Sequence, residues 1–181
     1  MTNFSEKYKT EVVPALMEEH GIKNSMAVPR ITKIVVNMGT KDVLKDKHVK
    51  DQLMTDFAAI TGQKPKIQQA HTSIAGFALR KGQPVGLTVT LRGKRMWAFL
   101  EKFVGIVLPR LRDFRGVPVK SFDQHGNYTL GFPEYSVFPE IDITKVNRKQ
   151  GLEVTIVMNA KDAKISRRLL TLMGMPFEKE D

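Results

Sequence analysis

Seven cations fall between Arg92 and Arg115 (Arg92, Lys94, Arg95, Lys102, Arg110, Arg112 and Arg115), against only Glu101 and Asp113. Guanidinium and ammonium groups at this density either solubilise an apolar helix or neutralise phosphates. Lys102 sits in an apolar helical run and reads as a solubilising charge. Arg92, Lys94 and Arg95 cluster where a strand with a polar face enters a helix, and they read as phosphate contacts. Side chains for bond-making chemistry are missing. The four histidines, His20, His48, His71 and His125, stand apart, without the H-E-x-x-H pairing of a metal hydrolase, and each reads as an ordinary surface or turn residue. No G-x-x-x-x-G-K-[ST], G-x-G-x-x-G or G-x-S-x-G run occurs. Acids gather between Asp42 and Asp56, but lysines interleave them, as on a solvated helix face. With Cys at 0, a thiol nucleophile, a disulfide framework, an iron–sulfur cluster and a cysteine-bearing zinc finger are all excluded. No cofactor or metal is implied.

The local cluster belongs to a wider excess. Lys and Arg number 29 and Asp and Glu 19 in 181 residues, for a net charge of +10, and such an excess attracts polyanions. A hydrophobic fraction of 41% fills an ordinary core, so residues 1–181 are expected to form one domain. The most apolar window, Phe103 to Leu108, is far shorter than the ~20 residues of a membrane span. The N-terminal residues hold Glu6, Lys7, Lys9 and Glu11 in place of a signal peptide's apolar run. A soluble, cytoplasmic partner of nucleic acid, with no membrane role, is expected.

The elements that must position these groups follow from periodicity. Phe4, Tyr8, Val12 and Leu16 predict an N-terminal helix that Gly21 caps, with Pro14 weakening its last turn. In ITKIVVNM, Thr32, Ile34, Val36 and Met38 share one strand face and Ile31, Lys33, Val35 and Asn37 the other. Val49, Leu53, Phe57 and Ile60 predict a helix ended by Gly62, and a short strand follows over Lys66 to Gln69. His71 to Pro84 reads as a projecting loop with Arg80 and Lys81 near its tip. Phe77 on that loop is packing by default and a contact residue if exposed. Val85, Leu87, Val89 and Leu91 then alternate with Gly86, Thr88, Thr90 and Arg92. A long helix carries Met96, Phe99, Leu100, Phe103, Val107 and Leu111 inward, widened by Trp97 and Val104, and Pro109 should fray its end. Within 112–150, short strands are predicted at 117–122 and 128–130, either side of the turn HGN. Leu152 to Met158 is the last strand. The final helix turns Ile165, Leu169, Leu172 and Met173 inward, with Asn159 as N-cap and Gly174 just past its end.

The sum is an α+β fold: a largely antiparallel sheet with helices packed on one face, the other face polar and RNA-binding, plus a projecting loop. Lys33, Asn37, Thr88, Thr90 and Arg92 lie on the open face. That face has no aromatic platform for single-stranded bases, and its donors suit phosphates, 2′-hydroxyls and the shallow groove of a folded RNA.

The blocks VPRITKIVVNMG, ITGQKP, SIAGFALRKGQPVGLTVTLRG, RDFRG, GNYTLG, FPEI and GMPF run in order from about Val28 to Phe177. They closely resemble the bacterial form of the large-subunit ribosomal protein family that binds 5S rRNA in the central protuberance, the fifth in large-subunit numbering. The resemblance implies a ribosome-associated, non-enzymatic structural protein. Its implied partners are 5S rRNA, large-subunit rRNA and neighbouring ribosomal proteins, peptidyl-site tRNA and a small-subunit head protein. The family's RNA-contacting positions match Asn37, Gln63, Thr90 and Arg92, and the candidate rRNA set becomes Lys33, Asn37, Gln63, Lys64, Lys66, Thr88, Thr90, Arg92, Lys94 and Arg95. The loop resembles the family's extension toward tRNA, with Ser73, Phe77, Arg80 and Lys81 as candidates. Members commonly have a basic pair before SIAGF; His71 and Thr72 stand there and lower the fixed charge at the loop's base. Two rival readings stand beside this one, the first of them using the same face. A free RNA-binding regulator or chaperone would occupy soluble pools instead of washed subunits, and an enzyme acting on RNA phosphate would need clustered acids for metal.

Overall fold

The computed structural model describes residues 4–40, 46–112, 114–142, 144 and 150–178; the first part of the acidic–basic stretch at 42–45, and Asp113 in the basic stretch, lie outside them. Among the described residues, β1 (Ile31–Gly39), β2 (Lys66–Gln69), β3 (Pro84–Leu91), β4 (Tyr128–Phe132) and β5 (Leu152–Met158) form one antiparallel sheet in the order β2-β3-β1-β5-β4. The accompanying α-helices are α1 (Phe4–Lys7), α2 (Val13–His20), α3 (Lys47–Thr61), α4 (Gly93–Lys102) and α5 (Ala163–Leu172). The expected α+β class and antiparallel sheet are both found.

The chain divides into two compact units, Met1–Ile34 with Arg92–Leu130 and Thr155–Asp181, and Val35–Leu91 with Gly131–Val154. In the second unit, α3 packs on β3, and the alternation predicted for the strands is realised. Val36, Met38, Leu87, Val89 and Leu91 are buried together with Leu53, Phe57 and Ile60 of α3. α3 begins where the Asp46 carboxylate accepts from His48 N–H at 2.9 Å and ends at Gly62, φ +67°. Phe132, at the end of β4, and Phe138 pack edge to face in this core.

The first unit is built on α2, α4 and α5. The N-terminal helical run ends at His20 with Gly21 as its left-handed cap, φ +63°, as expected, and its last turn holds despite Pro14 because the turn Tyr8–Val12 widens to a π-helix whose last bond runs from Val13 N–H to Tyr8 O. The same device precedes Pro109: a π-turn over Phe103–Val107 closes with Leu108 N–H to Phe103 O, and a 3₁₀ turn, Leu108–Arg110, follows. A proline brings no N–H and crowds the carbonyl four residues back, so widening the preceding turn lets the run absorb it.

Three sequence expectations are corrected here. The N-cap of α5 is Asp162, whose carboxylate accepts from Lys164 N–H at 2.8 Å. Asn159 instead accepts from Arg30 N–H at 2.6 Å and so joins the ends of β1 and β5. α5 buries Ser166, Leu169, Leu170 and Met173, with Ile165 and Leu172 only half-buried. The small Ser166 is required because the turn at Gly126 closes on it. The stretch expected as a strand at 117–122 is a 3₁₀ turn, Val119–Ser121, with isolated bridges from Val117 to Phe177 and from Phe122 to Tyr128. Pro118 cannot donate to a ladder, which explains the break. The helix end at Gly174 holds as expected. Gly174 N–H bonds Thr171 O and Met175 N–H bonds Leu170 O, at 2.9 Å each, in a Schellman motif.

Two measurements test this packing. Gly126 has φ +79°, and a Cβ there would lie 2.5 Å from Ser166 Oγ and 2.9 Å from Asp162 O. Gly126→Ala is expected to cost about 2–4 kcal/mol from strained backbone and overpacking, read as a lower urea midpoint. Burial, then the nearby Asp56 charge and hydrogen bond, pushes the Tyr135 hydroxyl up from 10.0 to about 12. Below pH 10 its contribution to stability is fully present, and it is lost as pH rises toward 12, where the unfolded chain has already released this proton. Stability should decline across that window, and Tyr135→Phe should flatten the decline.

Candidate nucleic-acid interface

Six of the ten candidate rRNA residues, Asn37, Gln63, Lys64, Lys66, Thr88 and Thr90, belong to the second unit. The ladder between β2 and β3 sets Lys66 opposite Thr88 and Gln68 opposite Gly86, so these side chains share the face turned away from α3. Thr88 Oγ1 donates to Val36 O at 3.3 Å, which seats it against β1 next to the exposed Asn37. Gly86 is required in this row, since a Cβ there would meet Met38 O at 2.8 Å. Gln63 lies just past the end of α3, and its Nε2 reaches Thr90 O at 3.4 Å. The Thr61 hydroxyl braces that turn from within, 2.7 Å from Phe57 O and 2.9 Å from Gln63 O. Lys64 and Lys66 are exposed, while Gln63, Thr88 and Thr90 are half-buried. The result is a row of amides, hydroxyls and ammonium groups. Gln68 was missed by the sequence reading, although its two-residue spacing from Lys66 was a usable signal.

Lys33, Arg92, Lys94 and Arg95 belong to the first unit. Lys33 is half-buried on β1. Arg92 is the N-cap residue of α4, with extended backbone at φ −140° and ψ 162° and no capping bond from its side chain. Lys94 and Arg95 follow in the first turn, are exposed, and have no acid among them. Cations at the positive end of a helix dipole oppose it, and an anion seated there reverses the sign of that interaction.

The projecting loop is closed at its base by Ala70 N–H to Gln83 O and Gly82 N–H to Ala70 O, each at 2.9 Å. Further out, Ile74 and Leu79 exchange backbone bonds around the short turn Ala75–Phe77. Ser73 Oγ accepts from Lys81 N–H at 2.9 Å, so Ser73 braces the loop. Phe77 is 66% exposed and Ile74 43%, with Arg80 and Lys81 exposed beside them. Phe77 is therefore exposed at the loop tip instead of packed. Between β2 and the loop lies an open cleft of about 460 Å³ lined by Lys66, His71 and Lys81 among others. Among the described residues, no group of three or more His, Asp or Glu could hold a metal ion, and no helix is long and apolar enough to cross a membrane.

Comparison with known proteins matches nearly the whole chain. Residues 24–80 match the family described as ribosomal protein L5, and residues 84–177 match the C-terminal region of the same ribosomal family. The large ribosomal subunit protein uL5 of Carboxydothermus hydrogenoformans is 49% identical over 179 residues, covering 99% of this chain and 100% of that protein. Its counterpart in Dictyoglomus turgidum is 53% identical, covering 96% and 97% of the two chains, and that of Roseiflexus sp. 54% identical, covering 95% and 96%.

The exposure of the loop tip carries a direct consequence. Phe77→Ala and Arg80→Ala should each move the unfolding free energy by no more than about 0.5 kcal/mol, because neither side chain serves the core. Equilibrium urea unfolding followed by circular dichroism checks this.

Proposed function

The chain belongs to the ribosomal protein L5 family, structural and non-enzymatic constituents of the large ribosomal subunit, and on that premise we propose that it binds 5S rRNA and helps attach it in the central protuberance. The observation that carries this reading is the row Lys66, Thr88 and Asn37, set by the ladder on a face with no aromatic platform. Amides and hydroxyls both donate and accept, which suits 2′-hydroxyls and the shallow groove of structured RNA. In this reading Asn37, Gln63, Thr88 and Thr90 supply directional hydrogen bonds, while Lys33, Lys64, Lys66, Arg92, Lys94 and Arg95 neutralise phosphates. The braced loop with Phe77, Arg80 and Lys81 contacts peptidyl-site tRNA, where the exposed ring covers apolar sugar or base surface and the cations sit on phosphate. A contact with the small-subunit head completes the role.

Arg92→Ala tests the reading, because Arg92 is exposed and its side chain caps nothing in the fold. The variant should keep its circular dichroism spectrum, bind 5S rRNA more weakly at ~150 mM salt, and show a salt slope smaller by roughly 0.7–0.9 for the lost phosphate contact. Undiminished affinity would falsify the proposed role of this residue.

A further inference from the structure

Tyr8 and Trp97 lie with ring centroids 5.6 Å apart and planes inclined by 30°. In the sequence they are helix-face and stripe residues, yet the structure leaves both half-buried on one wall of a cleft of about 340 Å³. Lys9, Arg30, Thr32 and Gly93 also line it, all within the first unit. The wall is fixed: Tyr8 Oη donates to Pro29 O at 2.9 Å, so the phenol cannot swing away. Arg30 is anchored through its backbone, donating to Asn159 Oδ1 at 2.6 Å and accepting from Asn159 N–H at 3.3 Å. Thr32 Oγ1 donates to Val157 O at 3.0 Å and keeps a lone pair to accept. Burial raises the Tyr8 pKa and the nearby Arg30 charge lowers it.

We propose that this cleft takes a single unstacked nucleotide of an RNA, with its base against the Tyr8–Trp97 wall and its phosphate on Arg30 and Lys9. The volume lies at the lower end of the ~300–1,000 Å³ of small-ligand sites, which admits one nucleotide and excludes a duplex. An aromatic wall beside cations is the pairing that single-stranded nucleic acid uses, stacking for the base and charge for the backbone. An acidic peptide would satisfy the cations and leave the wall uncovered. The inference rests on the RNA-binding reading above and adds to it a mode that the sheet face does not offer.

Trp97 is the one tryptophan of the chain, so its emission reports on the cleft directly. The full chain is titrated with a single-stranded oligoadenylate of about six nucleotides, an abasic ribose-phosphate oligomer of equal length and a polyglutamate peptide, and separately with 5S rRNA; about six nucleotides falls within known single-strand site sizes. Saturable quenching by oligoadenylate is expected. The abasic oligomer should bind about tenfold more weakly, as should oligoadenylate to Arg30→Ala or Lys9→Ala. Polyglutamate should give no quenching. Equal affinity for the abasic oligomer or polyglutamate, or unchanged affinity in both variants, overturns the proposal. Tight 5S rRNA binding without oligoadenylate quenching overturns the cleft alone, whereas absent 5S rRNA binding overturns the functional reading on which it rests.

Discussion

A strand cannot slip by one residue without exchanging its faces, and that constraint governs this protein. Val36, Met38, Leu87, Val89 and Leu91 are all buried beneath the sheet. At ~1.5–3 kcal/mol for each side chain removed from water, a slip would forfeit on the order of 10 kcal/mol. No hydrogen bond on the outer face approaches that magnitude, so the inner face sets the register and the outer face inherits it. Lys66 opposite Thr88, and Thr88 against β1 beside Asn37, are consequences of apolar burial beneath them. The polar row is thus held in place by the buried residues beneath it.

Two local preferences are broken at the proposed contacts. Arg92, Lys94 and Arg95 crowd the positive end of α4, where acids are favoured by about 0.3–1 kcal/mol each. Phe77 and Ile74 stand exposed on the loop although burial would stabilise both. These local conflicts sit at proposed contacts, as expected for sites that the fold must support from elsewhere. The two π-turns are a different case. They accommodate Pro14 and Pro109 within helical runs whose neighbouring residues, Val12, Leu16, Val107 and Leu108, are fully buried, so packing outweighs the lost backbone bonds.

Much of this was legible before the structure. Two-residue alternation located β1, β3 and β5, helical periodicity located α3 and α4, and Gly62 and Gly174 correctly marked the ends of α3 and α5. The strand misread at 117–122 had a local cause in Pro118, whereas three other misreadings share a different origin. Asn159 carries the chemistry of an N-cap but is engaged by Arg30, which lies 129 residues away. Ser166 is polar but is buried by the approach of Gly126. Tyr8 and Trp97 look like packing residues from their spacing, and they become a wall only because two separate helical runs meet. In each case a partner distant in the chain overrode a local preference, and no local pattern announces that partner.

The sequence by itself determined the charge excess, the lack of cysteine, the two faces of each strand and the motifs that identify the family. These depend on composition and short-range periodicity, which the chain carries whatever it packs against. Only the tertiary structure decided that Gln63 reaches Thr90, that Lys66 faces Thr88, that Ser73 braces Lys81, and that Phe77 points outward while Phe132 and Phe138 are enclosed. Those outcomes depend on which elements pair and at what register, a competition settled by the burial of the whole apolar set.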